Sequence, residues 1–314
     1  MVSYNFKKSL QKYIFLVLEF LLIAWIVVTV VFFLMNAIRG NEAAIDPTLT
    51  KTAQDNIRRA LGLDVSVWMR YGRYLGDLIT KGEFGVSTFL KPGQQVGLFL
   101  FQKMLVSFQV GFIGLLIGLV IGIPIGIYVG RRPGSLADNL VTVFVALAFA
   151  VPSFVVGIFL LLFAFKVNIP FIYDNLRPIT VLLPAIAIAF AQIPFYIRYL
   201  RISVIEETNS PYVKFAKIKG CKEQRITWKH TLKPALYPIA TVFPIMVLGS
   251  LIGSIIIESV FGIPGSGGLL IQAVNAKDYN VILAIVLVLC LTTSLGYFLR
   301  DILYTVLDPR TRIN

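Results

Sequence analysis

The chain has 314 residues, a formal net charge of +13 and a mean hydropathy of +0.81, with 57% hydrophobic residues against 14% charged ones. This composition excludes an ordinary soluble domain and indicates a protein that lies in a lipid bilayer. Basic residues of membrane proteins collect on the cytoplasmic side, where they set the orientation and meet anionic lipid, so we expect the bilayer and not nucleic acid as the partner of this charge.

Six apolar runs are long enough to cross a bilayer, which takes about 20 predominantly apolar residues. They lie near residues 13–36, 105–129, 139–165, 179–200, 235–261 and 281–305. Prolines inside them are expected to bend the helices, namely Pro124, Pro152, Pro184, Pro194, Pro238 and Pro244.

The distribution of Lys and Arg predicts the orientation of these runs. Nine basic residues lie between Arg198 and Lys233, and Arg131 and Arg132 lie in a second loop on the same side. Because short cytoplasmic loops are enriched in Lys and Arg, both termini are predicted to be cytoplasmic. The sequence therefore predicts an all-α, multi-pass protein of the plasma membrane with six transmembrane helices.

The stretch between the first two runs, residues 37–104, is the only sizeable polar segment. It predicts two amphipathic helices, TKTAQDNIRRALGLD at 50–64 and VSVWMRYGRYLGDLIT at 65–80, because apolar residues recur every three or four positions. So short a segment does not build an independent core. It serves either as a cover for the outer surface or as a docking surface for an extracytoplasmic partner, and both interpretations stay open.

Two helix faces are rich in small residues. In the second run the small residues are Gly111, Gly114, Gly118, Gly122, Gly126 and Gly130, and in the fifth run they are Gly249, Ser250, Gly253 and Ser254. Small residues at this period let another helix approach closely inside a membrane. We expect both faces to line or border a shared path.

Glu258 lies near the outer end of the fifth run, just before the turn FGIPGSGG at 261–268. An ionisable residue at membrane depth is a candidate functional residue. Accepting hydrogen bonds from the turn is the alternative role, and the sequence leaves both open.

The segment SPYVKFAKIKGCKEQRITWKHTLKP at 210–234 is basic and follows a helical pattern. Ser210 suits the N-cap and Pro211 the first helical position, and Gly220 can take the left-handed conformation that ends a helix. These residues predict a short helix over 211–219.

This short helix is predicted to be amphipathic. Tyr212, Phe215 and Ala216 are expected to share one face, and the other positions carry Lys214, Lys217 and Lys219. A helix this short is not stable alone in water, so it needs a surface to pack against. A lipid surface is one possibility, but the reversal at Gly220 favours a groove on a partner protein.

The same segment resembles the cytoplasmic EAA loop of ABC importer permeases, whose pattern is E-A-A, three residues, G, nine residues, I-x-L-P. Here KFA at 214–216 precedes Gly220 and HTL follows at 230–232, with Lys233 where proline is expected and Pro234 one position later.

Other stretches resemble the dipeptide, oligopeptide and nickel permease group, and most closely the B-type subunit of peptide importers. They are LGLDVSVWMRYGRYLGDLITKGEFGVS at 61–87, SVFGIPGSGGLLIQAVNAKDYNVI at 259–282 and DPRTR at 308–312. Ser266 stands where this group has leucine in its P-G-L-G turn.

The resemblance implies a type I ABC importer permease fold. Residues 1–104 would hold the first transmembrane helix and an extracytoplasmic helical segment, and residues 105–314 a five-helix core with a cytoplasmic coupling loop at about 201–233. The implied partners are a second permease subunit, two cytoplasmic ATPase subunits and an extracytoplasmic solute-binding protein or lipoprotein.

The resemblance also implies two sets of site residues. The helix at 211–219 would couple the permease to an ATPase through Tyr212, Lys214, Phe215, Ala216, Lys217 and Gly220. The translocation path or its gate would include Gly249, Gly253, Glu258 and Ser266.

No catalytic role is expected for this chain. It has no G-x-x-x-x-G-K-[ST] stretch to cradle phosphates, so ATP would be bound by the partner subunits and no cofactor by the chain itself. Ser266 and the single histidine, His230, would lie at opposite membrane faces, which excludes a nucleophile and base pair, and one histidine gives no zinc cluster.

The cargo stays open between dipeptides or oligopeptides and nickel or another small solute. A self-contained channel or secondary transporter is the remaining alternative. It usually carries ionisable residues deep in the membrane, whereas apart from Glu19 and Glu258 the apolar runs here are nearly free of acids and bases at depth.

Overall fold

The computed structural model describes residues 2–40, 50–54, 65–174 and 177–307. These residues are mostly helical, and the only β pairing among them is an isolated antiparallel bridge between Val86 and Gln95. The helices are α1 Val2–Gly40, α2 Val67–Lys81, α3 Val96–Gly130, α4 Leu136–Ala150, α5 Ser153–Lys166, α6 Ile179–Thr208, α7 Pro211–Ile218, α8 Glu223–Ala235, α9 Tyr237–Ile252, α10 Ile255–Phe261, α11 Ser266–Asn275 and α12 Tyr279–Leu307.

Two of the sequence predictions concern stretches that lie largely outside the described residues. Of the amphipathic helix predicted over 50–64, residues 51–54 are helical, and 55–64 lie outside the described residues. The C-terminal DPRTR stretch at 308–312 also lies outside them.

Four helices are long and apolar enough to cross a membrane: Ile14–Ala37, Val96–Gly130, Ile179–Thr208 and Tyr279–Thr305. Three further pairs qualify only when joined across a bend: α4 with α5 at 93°, α8 with α9 at 41°, and α10 with α11 at 92°.

Two predicted runs differ from straight helices. The run at 139–165 breaks between α4 and α5, where Pro152 is extended and N-caps α5, since proline has no N–H to continue the α4 ladder. The run at 235–261 ends at Gly253, and Ile255–Phe261 forms a bent pair with α11. Prolines such as Pro184 and Pro194, by contrast, lie inside a continuous helix.

The pairing of α1 with α12 decides how the bent pairs are counted. The rings of Phe20 and Phe298 lie 5.4 Å apart, and Phe32 packs in one cluster with Leu287, so the two helices are antiparallel. Because α1 begins and α12 ends at the same end of this antiparallel pair, the chain crosses the bilayer an even number of times. With the four long helices always counted, this allows none or two of the three bent pairs as further crossings, that is four or six crossings in all.

The chain divides into two compact units. One contains the residues up to Ser107 together with Pro264–Phe298, and the other contains Phe108–Ile263 together with the residues from Leu299 onward. The predicted division at 104/105 follows the chain, whereas the structure groups α11 and most of α12 with the N-terminal part.

In the first unit, α2 packs against α1 and α12. The aromatic rings of Phe32, Phe33, Tyr71 and Tyr74 stack at this contact, and the hydroxyls of Thr29 and Tyr71 share a 2.6 Å hydrogen bond. Burial raises the pKa of Tyr74. The predicted amphipathic helix therefore has a packing role within its own unit.

In the second unit, the glycines of α3 pack directly against α6. A Cβ atom at Gly122 would lie 2.7 Å from the Cβ of Tyr196, one at Gly126 would lie 2.8 Å from that of Leu200, and similar contacts extend along the stripe. The prediction of close helix packing is confirmed. The expectation that this face lines a path is wrong for Gly114–Gly130, because α6 covers it.

Candidate functional site

Helix α7 forms where the sequence predicts it. It runs from Pro211 to Ile218, one residue shorter than predicted, after an extended Ser210. Gly220 has a φ of +71°, and the N–H of Cys221 donates to the carbonyl of Ala216 at 3.2 Å, which closes the helix end. The predicted helix and its glycine stop are confirmed.

The inner face of α7 differs from the prediction. Val213 and Ala216 are buried in one cluster with Ile226 at the start of α8. Ala216 therefore points away from Tyr212 and Phe215, which are exposed. The predicted face was wrong because Val213, three positions before Ala216, was not considered as part of an inner stripe.

The outer face of α7 is an exposed apolar stripe, which we define as Tyr212, Phe215 and Ile218. The exposed fractions are 38%, 57% and 82%. Lys219 lies over the Phe215 ring with its Nζ 4.6 Å from the ring centroid, and Lys214 and Lys217 are also exposed, as predicted. The Tyr212 hydroxyl donates to the Glu207 carboxylate at the end of α6.

Ile218 was missed by the sequence prediction, although its spacing of three residues from Phe215 was a signal. A contiguous apolar stripe on the surface marks a contact site for a partner protein or for a membrane.

Helix α8 connects α7 to the rest of the second unit. Its middle, Ile226–Leu232, is a π-helix, a form that often occurs at functional positions. Leu232 and Ala235 pack with Val204 of α6, and Trp228 on the opposite side is 71% exposed. The α7–α8 hairpin is therefore held by buried contacts to α6.

Helix α9 breaks at Gly253, in a conformation that only glycine adopts readily. Its φ is +71° and its ψ is −177°, and the next residue, Ser254, N-caps α10 by accepting from the N–H of Ile257 at 3.4 Å. The break redirects the backbone at the predicted small-residue face.

A cavity of about 490 Å³ lies beside this break. Its walls are formed by Gly111, Phe149, Ile188, Ala191, Gln192, Phe195, Met246, Gly249, Ser250, Gly253 and Ser254. Apart from its own helix backbone, no atom lies within 4 Å of a Cβ built on Gly249, and the Gln192 amide oxygen accepts from the Tyr196 hydroxyl at 3.0 Å. Two of the predicted path residues, Gly249 and Gly253, thus line open space, and their role stays a prediction.

Glu258 and Ser266, the other two predicted path residues, are each only 3% exposed and do not line this cavity. Glu258 lies in the first turn of α10, and its carbonyl accepts from the N–H of Ile263 at 2.8 Å. The N–H of Ser266 donates to the Ser107 hydroxyl oxygen at 2.8 Å. The roles of both residues stay predictions.

A buried carboxylate, Asp278, was not predicted from the sequence. One of its oxygens accepts from the Ser87 hydroxyl at 2.6 Å and from the N–H groups of Thr88, Phe89 and Leu90, each at 3.0 Å. Burial by itself raises the pKa of Asp278, but these hydrogen bonds outweigh it and hold the pKa below its usual value. The ionised group fixes the loop before α3 to the start of α12.

A second buried carboxylate fixes α4 to α6. Asp138 accepts two hydrogen bonds from the Arg201 guanidinium, at 2.5 and 2.8 Å, and one from the N–H of Gly134 at 2.8 Å. Among the described residues, no group of three His, Cys, Asp or Glu side chains could hold a metal ion.

Comparison with known proteins identifies the family. The model described as "Binding-protein-dependent transport system inner membrane component" matches residues 122–313. The chain belongs to this family. Members lie in the inner membrane, which agrees with the four to seven candidate spans and makes this a multi-pass protein of the plasma membrane.

Several relatives of this inner membrane component match over nearly their whole length. The dipeptide transport system permease protein DppB of Lactococcus lactis subsp. cremoris (strain MG1363) is 34% identical over 96% of this chain and 99% of its own. The oligopeptide transport system permease protein OppB of Haemophilus influenzae is 30% identical over the same shares. DppB of Bacillus subtilis (strain 168) is 30% identical over 92% and 94%.

Among solved structures, a chain from the inward-facing MetNI methionine ABC transporter aligns with a TM-score of 0.49 and 19% identity. The alignment covers 68% of this chain and 98% of that one.

Proposed function

We propose that this chain is the transmembrane permease subunit of an ATP-driven ABC importer for dipeptides or oligopeptides. The named relatives are permeases of dipeptide and oligopeptide transport systems and match nearly the entire chain. The permease forms the translocation path with a second permease subunit. Two cytoplasmic ATPase subunits supply the energy, and an extracytoplasmic binding protein or lipoprotein delivers the cargo.

The observation that carries this proposal is the two-sided construction of α7. Val213 and Ala216 attach the helix to its own chain, while the outer stripe exposes Phe215 and Ile218. An exposed apolar stripe costs free energy in water unless a partner covers it. We assign the stripe to a groove on an ATPase subunit, with the flanking lysines facing an acidic rim.

The position of α7 in the chain links this contact to the cavity. Helix α7 follows α6 directly, and α8 leads from α7 to α9. Gln192 of α6 and Gly249 of α9 line the same cavity. A displacement of α7 by the ATPases is therefore transmitted to two walls of the proposed path.

The test replaces an exposed apolar side chain of the stripe by a charge. In the complete transporter, Ile218→Asp should abolish co-purification of the ATPase subunits and lower ATP-dependent peptide uptake at least tenfold, since a buried carboxylate without a partner opposes docking by more than about 1.4 kcal/mol. The matched control for ATPase co-purification is Ile79→Asp in α2, because Ile79 is 76% exposed and Ile218 is 82% exposed.

Normal uptake together with normal ATPase co-purification in Ile218→Asp would contradict the coupling role. Uptake of nickel but of no peptide by the unaltered complex would retain the importer and correct its cargo.

A further inference from the structure

A second cavity, of about 450 Å³, lies next to the first in the same unit. It is lined by Phe149, Phe195, Arg198, Tyr199, Ile202, Ser203, Glu206 and Pro238. Phe149 and Phe195 line both cavities, so the two spaces are neighbours separated by these aromatic rings.

A single face of α6 forms a wall of both cavities. Ile188, Gln192 and Phe195 line the first, and Phe195, Tyr199 and Glu206 line the second, at spacings that place them along one side of the helix. From Ile188 to Glu206 this side extends for about 27 Å at 1.5 Å per residue, close to the thickness of the hydrocarbon core of a bilayer. The glycines of α3 cover the adjoining side of α6, and Ile188 and Gln192 lie at the border between the two sides.

The two cavities differ in their chemistry. The first offers neutral polar groups, such as the Gln192 amide and the Ser250 hydroxyl, on an otherwise apolar wall. The second contains a guanidinium and a carboxylate, those of Arg198 and Glu206, and both residues are exposed. Opposite charges on one wall suit a cargo that carries both charges itself.

The backbone positions of these two charged residues are separated by about the length of a short peptide. Arg198 and Glu206 are eight residues apart on α6, a rise of about 12 Å. An extended peptide spans about 3.3–3.6 Å per residue, so its terminal carboxylate and ammonium are this far apart at about three or four residues. A guanidinium binds a carboxylate with two parallel hydrogen bonds, and a carboxylate accepts from an ammonium group.

We propose that Arg198 contacts the terminal carboxylate, and Glu206 the terminal ammonium group, of a free peptide of about three or four residues as it leaves the first cavity. This assignment rests on the proposed function, because it takes the α6 face as a wall of the peptide path. The contacts are weak, as passage requires, since cargo held tightly would not be released.

The test measures how well short peptides compete for a photoreactive tripeptide. The complete transporter is used in detergent without the binding protein, so that selection by that protein does not enter. The competitors are trialanine with free ends, its C-terminal amide and its N-acetyl form. The unaltered complex should prefer the free peptide over each blocked form about twofold to fivefold, the range of one exposed ion pair.

Each charge should be responsible for one of the two preferences. Arg198→Gln should remove the preference over the amide and keep the preference over the N-acetyl form, and Glu206→Gln should do the reverse. Arg131→Gln is the matched control, since Arg131 is exposed in the loop after α3 and lines neither cavity, and it should keep both preferences.

Unchanged preferences in both variants, or cross-links that fall outside α6, would overturn the assignment. ATP-driven uptake of trialanine by the unaltered complex in vesicles is measured in parallel. If that uptake is normal, a negative result counts against Arg198 and Glu206 alone, whereas absence of uptake of any peptide counts against the proposed function.

Discussion

Two helix faces in this protein carry the same small-residue pattern but are used differently. The glycines of α3 are covered by α6 so closely that a Cβ at Gly122 would lie 2.7 Å from the Cβ of Tyr196. The small face of α9 lines a cavity of about 490 Å³, and no atom outside the backbone of its own helix lies within 4 Å of a Cβ at Gly249. The glycine face of α3 forms a close helix contact, whereas the small face of α9 borders an open cavity.

This difference shows that a small-residue pattern leaves space beside a helix. The course of the neighbouring backbone decides whether another helix fills that space. Helix α3 continues unbroken along its glycines, so a second long helix can lie against it. Helix α9 ends at Gly253, where the positive φ turns the chain away. Substitutions that add a side chain to each of the two faces test this comparison.

The largest expected effect is on the closed face. Gly122→Leu would force its side chain against Tyr196 and against the backbone carbonyl of Ile193, where a Cβ alone would be 3.2 Å from that oxygen. Overpacking typically costs about 1–3 kcal/mol, and more where backbone must move, so we expect loss of folded protein in detergent. Recovery by size-exclusion chromatography measures it, and an unaltered yield would contradict the close packing.

A smaller loss of stability is expected at the helix break. Gly253→Ala should destabilise the protein by about 1–3 kcal/mol, because its φ of +71° and ψ of −177° form a region open almost only to glycine. The measurement is thermal unfolding of the purified chain. Gly249→Ala is the control, and it should be neutral or stabilising since alanine favours a helix more than glycine does.

The open face should affect transport more than stability. Gly249→Leu places its side chain in the cavity, so we expect ATP-dependent peptide uptake to fall about tenfold, which is about 1.4 kcal/mol. The melting temperature should stay near that of the unaltered protein, because nothing within 4 Å has to move. Normal uptake in Gly249→Leu would remove this face from the path.

The smallest expected effect is that of pH, because neither small-residue face carries a carboxylate and Asp278 has a lowered pKa. A carboxylate with a lowered pKa stabilises the fold fully above its usual value of about 3.9, and this contribution is lost as the pH falls through the folded pKa. Between pH 5 and 8, Asp278 should therefore leave the melting temperature constant.

Asp278→Asn supplies the control for this pH prediction. Its melting temperature should be lower than that of the unaltered protein at pH 7, and the gap should narrow only below about pH 4. A gap that already shrinks at pH 6 would show that Asp278 is not held ionised as described.

Local patterns predicted much of this protein. The glycines of α3 indicated a close helix contact, and Ser210, Pro211 and Gly220 indicated α7, because capping and small-residue packing depend on neighbours within one or two turns. The predicted span near 13–36 corresponds to Ile14–Ala37, because a run of apolar residues is also a local pattern.

Features that depend on distant residues were not predictable in this way. The carboxylate of Asp278 accepts a hydrogen bond from Ser87, 191 positions earlier, and no local sequence pattern indicates a partner at that separation. Val213 was overlooked because its partner Ile226 lies beyond the Gly220 turn. Pro152 indicated a bend, but the angle of 93° between α4 and α5 is set by packing.

The most direct test of the account compares the two faces with a water-soluble thiol reagent. The natural thiols are removed by Cys221→Ser and Cys290→Ser, and the complete transporter then carries either Gly249→Cys or the control Leu115→Cys. The account predicts rapid labelling of Gly249→Cys, slowed by peptide together with the binding protein, and no labelling of Leu115→Cys, because Leu115 of α3 is buried against Tyr196 and Leu200 of α6. Labelling of Leu115→Cys with an unreactive Gly249→Cys would contradict it.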